Sequence, residues 1–221
     1  MSRHEMKKKI DQYKLVIFDL DGTLYYQRPL QCMMALSLAG YYAFHLRRIK
    51  ELFVVKKYRK IREVSAGTYT EDVSEHYRQA GQSYGFSAKE AEIIIQRWMY
   101  TVPCRLLKYV RDNRLKVIID QLQSRGITAI VYSDYPVEEK LEALEMTFPR
   151  CFCSFDPVIQ CLKPNPVGIT NILKEMNTLP QDAVMIGDRM SKDGQAAIGA
   201  GIDYCILSRN PLTRKKQLQT L

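Results

Sequence analysis

Three short apolar runs, each stopping abruptly at a polar pair, constrain this chain more than any other feature. The first strand candidate spans residues 15–20; its run Val16-Ile17-Phe18 leads into Asp19-Leu20-Asp21-Gly22-Thr23. Ile127-Thr128-Ala129-Ile130-Val131-Tyr132 stops at Ser133-Asp134, and Ala183-Val184-Met185-Ile186 stops at Gly187-Asp188. Apolar runs of this length, bounded by turn residues, read as buried strands. Between and after them lie segments of helical period. Residues 114–125 carry Leu115, Ile118, Ile119 and Leu122 on one face, with Gly126 placed to end the helix. Residues 137–146, 166–176 (Pro166 near the start) and 192–199 read as further helices. Residues 204–207 read as a last strand and 156–160 as a short extended segment. Strands alternating with helices predict an α/β fold, a parallel sheet with helices on both faces.

The stretch from about Leu30 to Tyr109 breaks the alternation. It is mainly helical, punctuated by Gly40, Gly67, Gly81 and Gly85, and too long for a simple crossover. It reads as an inserted helical domain over residues 25–105, leaving 1–24 and 106–221 as the α/β core.

Charge and cysteine usage narrow the setting. The 33 basic residues exceed the 24 acidic ones by nine, which suits anionic partners: phosphorylated metabolites, nucleic acid or a membrane surface. No run approaches the ~18 apolar residues of a membrane span. The basic N-terminus is followed only by the short strand-like run, so no secretory signal is expected. Cysteines at 32, 104, 151, 153, 161 and 205 are scattered, without a disulfide framework. Cys151, Cys153 and Cys161 lack the CxxC pairing or nearby histidine of a metal site. Reduced thiols in a cytoplasmic protein are the expectation.

Parallel strands place all their C-terminal ends on one edge of the sheet. Asp19, Asp21 and Thr23, then Ser133, Lys163, and finally Asp188 and Asp193 can therefore converge there. Singly, each has an ordinary explanation: a strand-end aspartate is commonly a turn or cap residue, and Lys163-Pro164-Asn165-Pro166 a rigid loop. The Asp19–Asp21 pair is harder to explain away, because two close carboxylates at a strand end cost stability unless a cation joins them.

In these residues the chain resembles the haloacid dehalogenase-like superfamily. Asp19-Leu20-Asp21-Gly22-Thr23 matches its first motif, DxDGT, and Ser133 the strand-ending Ser or Thr of its second. Lys163-Pro164 matches the third, and Gly187-Asp188-Arg189-Met190-Ser191-Lys192-Asp193 the fourth, GDxxxxD. Four motifs in order are far more specific than any one. The resemblance implies a Rossmann-like core with a helical cap inserted after the first motif, as in the phosphoglycolate phosphatase and β-phosphoglucomutase-like subgroup. It implies a Mg²⁺-dependent phosphatase acting on a small phosphorylated metabolite through an aspartyl-phosphate. Asp19 would be the nucleophile and Asp21 the acid and base. Thr23, Ser133 and Lys163 would bind phosphate, with Thr23 also supporting its loop. Asp19, the Asp21 carbonyl, Asp188 and Asp193 would form the metal shell.

A sugar-phosphate mutase would use the same core. A non-catalytic nucleic-acid-binding protein of this fold is a further alternative, against which the intact acidic motifs and Lys163 argue. The dehalogenase branch lacks the second aspartate of the first motif, which Asp21 supplies here. One position departs from a common family form: Asp134 follows Ser133 where Asn is frequent, so its carboxylate must point away or pair with a base. Residues 47–62 hold eight basic residues in sixteen. They read first as the solvated face of a cap helix and second as a source of contacts to another anionic group.

Overall fold

The computed structural model describes residues 6–64 and 73–221; Gly67, expected to mark a turn, lies outside the described residues. Five parallel strands form one sheet in the order β3-β2-β1-β4-β5: β1 Leu15–Phe18, β2 Thr128–Ser133, β3 Cys151–Cys153, β4 Ala183–Gly187 and β5 Asp203–Ile206. The central strand β1 is buried along its whole length. Phe18 is level with Val131 of β2 and Ile186 of β4. Asp19, Ser133 and Asp188 therefore leave the sheet within two positions of one edge. Successive β1 side chains face opposite layers, as a strand's period of two requires. Val16 and Phe18 pack with Ile119, Leu122 and Leu141, while Leu15 and Ile17 pack with Ile169, Ile172 and Ala197.

The cap begins directly after the first motif, with α1 Gln27–Phe44, α2 Glu51–Val64, α3 Val73–Gln82 and α4 Ala88–Ile95. A π-helical turn, Gln96–Thr101, leads into α5 Val102–Val110. The cap has its own apolar cluster around Tyr42, Val54, Tyr58, Ile94 and Trp98, whereas Leu107 and Val110 of α5 pack into the core's cluster. Entry and exit of the insertion are pinned together. Tyr25 bridges Arg111, Tyr26 N–H donates to Val110 O at 2.8 Å and Asp112 N–H to Leu24 O at 3.0 Å.

The remaining helices surround the sheet: α6 Asn113–Ser124, α7 Glu138–Ala143, α8 Val167–Glu175, α9 Gln195–Ala200 and α10 Pro211–Leu218. One expectation fails locally, and two elements lie outside the sequence reading. Residues 156–160, read as extended, form a turn in which Ile159 N–H donates to Asp156 O at 2.8 Å. The edge strand is β3, too short to show a periodic signal. Asp-Pro turn chemistry at 156–157 outweighs the apolar Val158-Ile159 pair. Helix α10 was not anticipated, although Asn210 caps it and Pro211 occupies its first turn.

Candidate active site

Asp19 lies just past β1, buried, and both its carboxylate oxygens are engaged. Oδ1 pairs with Lys163 Nζ at 2.6 Å, and Oδ2 accepts from Thr23 Oγ1 at 2.9 Å. Thr23 is wholly buried and spends its hydroxyl on Asp19. The Thr23 hydroxyl thereby holds the neighbouring carboxylate. Lys163 is buried too, and bridges Asp19 to Asp193 Oδ1 at 2.7 Å. The other Asp193 oxygen accepts the backbone N–H groups of Asp188 (3.2 Å) and Arg189 (3.0 Å). Asp193 is thereby fixed as the residue that orients Lys163 and the loop after β4.

Asp188 is held differently. Its Oδ2 accepts from Arg209 Nε at 3.0 Å, while Oδ1 is buried without a hydrogen-bond partner among the described residues. Arg189 Nε stands 3.8 Å from that oxygen, outside hydrogen-bond range. Asp19, Asp188 and Asp193 each bring an oxygen within 4.8 Å of the others. Burial and the neighbouring Asp193 push the Asp19 carboxyl above the usual range, against the pull of Lys163. Burial and Asp193 likewise push Asp188 up, against Arg209 and Arg189. A cluster of hard oxygen donors with surplus negative charge and an orphaned buried oxygen fits a small divalent cation. Gly22 makes room for this cluster: at φ +93° it adopts a conformation side chains avoid, and a Cβ there would meet Asp188 Oδ2 at 2.6 Å.

Asp21 points elsewhere. Its oxygens pair with Lys140 Nζ at 2.7 and 2.8 Å, and Oδ1 also accepts from Tyr25 O–H at 2.6 Å. Burial raises the Asp21 carboxyl, but Lys140 and the Tyr25 hydroxyl more than offset this and hold it below the usual range. Lys140 was missed in the sequence, yet its position carried a signal. It shares the buried face of α7 with Val137, Leu141 and Leu144, where a lysine has no place unless it is paired.

Ser133 ends β2, buried, with its Oγ accepting from Tyr135 N–H at 3.1 Å. The Asp134 carboxylate is fully engaged: Oδ1 accepts from Lys163 N–H at 2.9 Å, and Oδ2 pairs with Lys192 Nζ at 2.9 Å. The required base is Lys192 of the fourth motif.

Asp19, Asp21 and Ser133 form part of the wall of a cavity of about 540 Å³ between core and cap, and Arg189 joins them. Thr23, Lys163, Asp188 and Asp193 are buried and do not line it. From the basic segment, Lys56 and Arg59 are exposed and line the cavity, and Arg47, Arg48, Lys50 and Lys60 are exposed without lining it. Arg62 is neither exposed nor on the cavity wall. It is buried against the core, donating to Asp134 O and to Ser154 Oγ (3.1 Å), its guanidinium over the ring of Phe155. The segment is thus divided among solvent, cavity and cap–core contact.

From the opposite side, Arg214 of α10 closes the first-motif loop. Its Nε pairs with buried Asp112 Oδ2 at 2.7 Å, and its other nitrogens donate to the carbonyls of Gly22 (2.9 Å) and Thr23. All six cysteines are free thiols. Among the described residues, no helix is long and apolar enough to cross a membrane.

Known proteins agree with this architecture. A 2-haloacid dehalogenase from Pseudomonas syringae pv. Tomato DC3000 superposes with a TM-score of 0.63 at 19% identity, over 88% of this chain and 86% of its own. A candidate HAD hydrolase from Bacillus subtilis, solved bound to magnesium, gives 0.58 at 17% identity over 89% and 87%. A candidate phosphoglycolate phosphatase from Lactobacillus plantarum gives 0.51 at 19% identity over 87% and 85%. At such identities the likeness is one of fold. No curated protein sequence matches. The sequence model of the haloacid dehalogenase-like hydrolases, however, matches residues 13–201, from before β1 to the end of α9. With the motif residues gathered at one sheet edge, this chain belongs to the haloacid dehalogenase-like hydrolase family.

Proposed function

We propose that the protein is a Mg²⁺-dependent phosphomonoesterase that works through an aspartyl-phosphate on Asp19. The observation that carries this reading is the orphaned, buried Asp188 Oδ1 beside Asp19 and Asp193. A divalent cation would offset this buried carboxylate charge, and phosphoryl transfer uses such a cation. Asp19, the Asp21 carbonyl and Asp188 would hold the ion, and Asp193, with both oxygens committed, would orient the shell. Bound there, Mg²⁺ neutralises charge on the phosphoryl oxygens.

The chain's own residues supply the rest. Lys163 and Thr23 fix the Asp19 carboxylate for attack on phosphorus. The P–O ester bond breaks as the Asp19 O–P bond forms, and the leaving alkoxide takes a proton from Asp21. Asp21 then removes a proton from water, which attacks phosphorus, releases inorganic phosphate and restores the Asp19 carboxylate. Lys140 lowers the proton affinity of Asp21 in the free site; a phosphoryl dianion beside it raises that affinity again. Ser133 and Arg189, both on the cavity wall, receive the phosphoryl oxygens. The cap, residues 25–105 on the 1–24 and 106–221 core, excludes water during transfer. The substrate is a small phosphorylated molecule, and the free thiols suit the cytoplasm.

Phosphate release from p-nitrophenyl phosphate tests the reading. Activity should require Mg²⁺ and disappear with a chelator. Asp19→Asn should lower kcat by at least about a thousandfold with an unchanged circular dichroism spectrum. Retained turnover in that variant would sink the assignment.

A further inference from the structure

The cavity wall is graded, and the grade runs along two cap helices. Helix α1 starts at the core. Its cavity-lining residues are Gln27, Leu30 and Gln31, then Met34, Ala35 and Leu38. Helix α2 runs the other way: its C-terminal end meets the core, where Arg62 reaches Asp134 O and Glu63 lies 3.9 Å from Arg189. Moving away from the core along α2, the lining side chains are Glu63, Arg59, Lys56, Val55 and Leu52. Leu38 lies about 16 Å along α1 from Gln27, and Leu52 about 16 Å along α2 from Glu63. Both helices thus present charge or amide beside the aspartates and only hydrocarbon beyond. Trp98, Met99 and Tyr100 of the π-helical turn also line the cavity; their polar groups are the Tyr100 hydroxyl and the buried Trp98 indole N–H, which has no partner among the described residues.

A polyhydroxylated leaving group has more hydroxyls than this single indole N–H and phenol could pair, and each one buried unpaired carries a penalty. An apolar body gains from every methylene it hides. Lys56 and Arg59 make no ion pair or hydrogen bond among the described residues, and they stand at the junction between the two halves of the wall. They suit the residual negative charge of a phosphate ester entering head first.

Resting on the phosphatase reading, we propose that the substrate is amphiphilic: a phosphomonoester of a long aliphatic or aryl-alkyl alcohol. Its phosphate would lie at Asp19, and its apolar body would extend between α1 and α2 toward Leu38, Leu52 and Trp98.

A chain-length series tests this. Phosphate release is measured with Mg²⁺ for n-alkyl phosphates from ethyl to octyl, all kept below micelle formation, with glucose 6-phosphate as the polar comparison. Affinity for the matching alkylphosphonates is measured by calorimetry, independently of turnover. The expected result is a rise in kcat/KM of about two- to fourfold per methylene, a parallel tightening of phosphonate binding, and glucose 6-phosphate far below octyl phosphate. Leu52→Gln should flatten both series while the melting transition remains cooperative. A flat or falling series, with ethyl phosphate still hydrolysed, overturns the apolar-substrate inference and leaves the phosphatase reading standing. No hydrolysis of any ester, with phosphonate affinity still rising with length, overturns the phosphatase reading and keeps the apolar occupant. Failure of both series overturns both.

Discussion

In the proposed reaction, Lys140 and Asp21 set the acid–base behaviour at the scale of single residues. Lys140 Nζ holds both Asp21 oxygens, and the resulting lowered proton affinity exists against the opposing effect of burial. Removing the ammonium leaves burial in charge, so Lys140→Met should raise the pKa of Asp21. Asp21 must carry a proton to release the alcohol, so the alkaline limb of the pH–kcat/KM profile should then move to higher pH, and Lys140→Arg should restore much of the original position. An alkaline limb unmoved in Lys140→Met would show that Asp21 does not govern it. Gly22 gives a second prediction at this scale. Gly22→Ala combines positive φ with a Cβ 2.6 Å from Asp188 Oδ2. It should cost about 1–3 kcal/mol in urea denaturation and weaken the Mg²⁺ dependence of activity by displacing Asp188. A variant with native stability and native Mg²⁺ response would contradict the packing described.

Elements hold these residues in place, and α10 does so from the greatest distance in sequence. Arg214 is buried, and three of its contacts end on Asp112 and the Gly22–Thr23 backbone. Arg214→Leu leaves the Asp112 carboxylate buried without its cation. A loss of about 3–5 kcal/mol is expected, measured by chemical denaturation; a loss below about 1 kcal/mol would mean that solvent reaches Asp112. This clamp also shows what the sequence could reveal. Strand ends at Asp19, Ser133 and Asp188 were readable because apolar runs and polar stops are local signals. The roles of Arg214, Arg62 and Lys192 were not, because each depends on a partner 58 or more positions away. Lys140 was intermediate, visible as a lysine on an apolar helical face although its partner was not. The edge strand β3 had too few residues to declare itself.

The whole molecule closes its N-terminal segment onto β5 through Tyr13 and Asp203, joined at 2.6 Å. Burial and the Asp203 acceptor raise the Tyr13 hydroxyl to about 12. Burial alone would raise Asp203, but the Tyr13 hydroxyl and Lys7 N–H hold it below the usual range. A raised tyrosine pKa contributes stability that is complete below about pH 10, the unfolded value, and is lost as pH rises to about 12. The lowered Asp203 value acts in the opposite window: its contribution is present above the unfolded carboxylate range and is lost as pH falls through the folded value. Tyr13→Phe should therefore be less stable than wild type by about 1–2 kcal/mol near neutrality. The gap should narrow between about pH 10 and 12 in pH-dependent urea melts. A constant gap would place the hydroxyl outside the titration.

The proposed reaction turns on Asp19 as the atom donor to phosphorus. Peptide mapping by mass spectrometry tests it, after rapid quench of the Asp21→Asn variant mixed with Mg²⁺ and acetyl phosphate. The expected result is a phosphoryl group on Asp19. Inorganic phosphate released while Asp19 stays unmodified at every quench time, or a phosphoryl group on another residue, would contradict it.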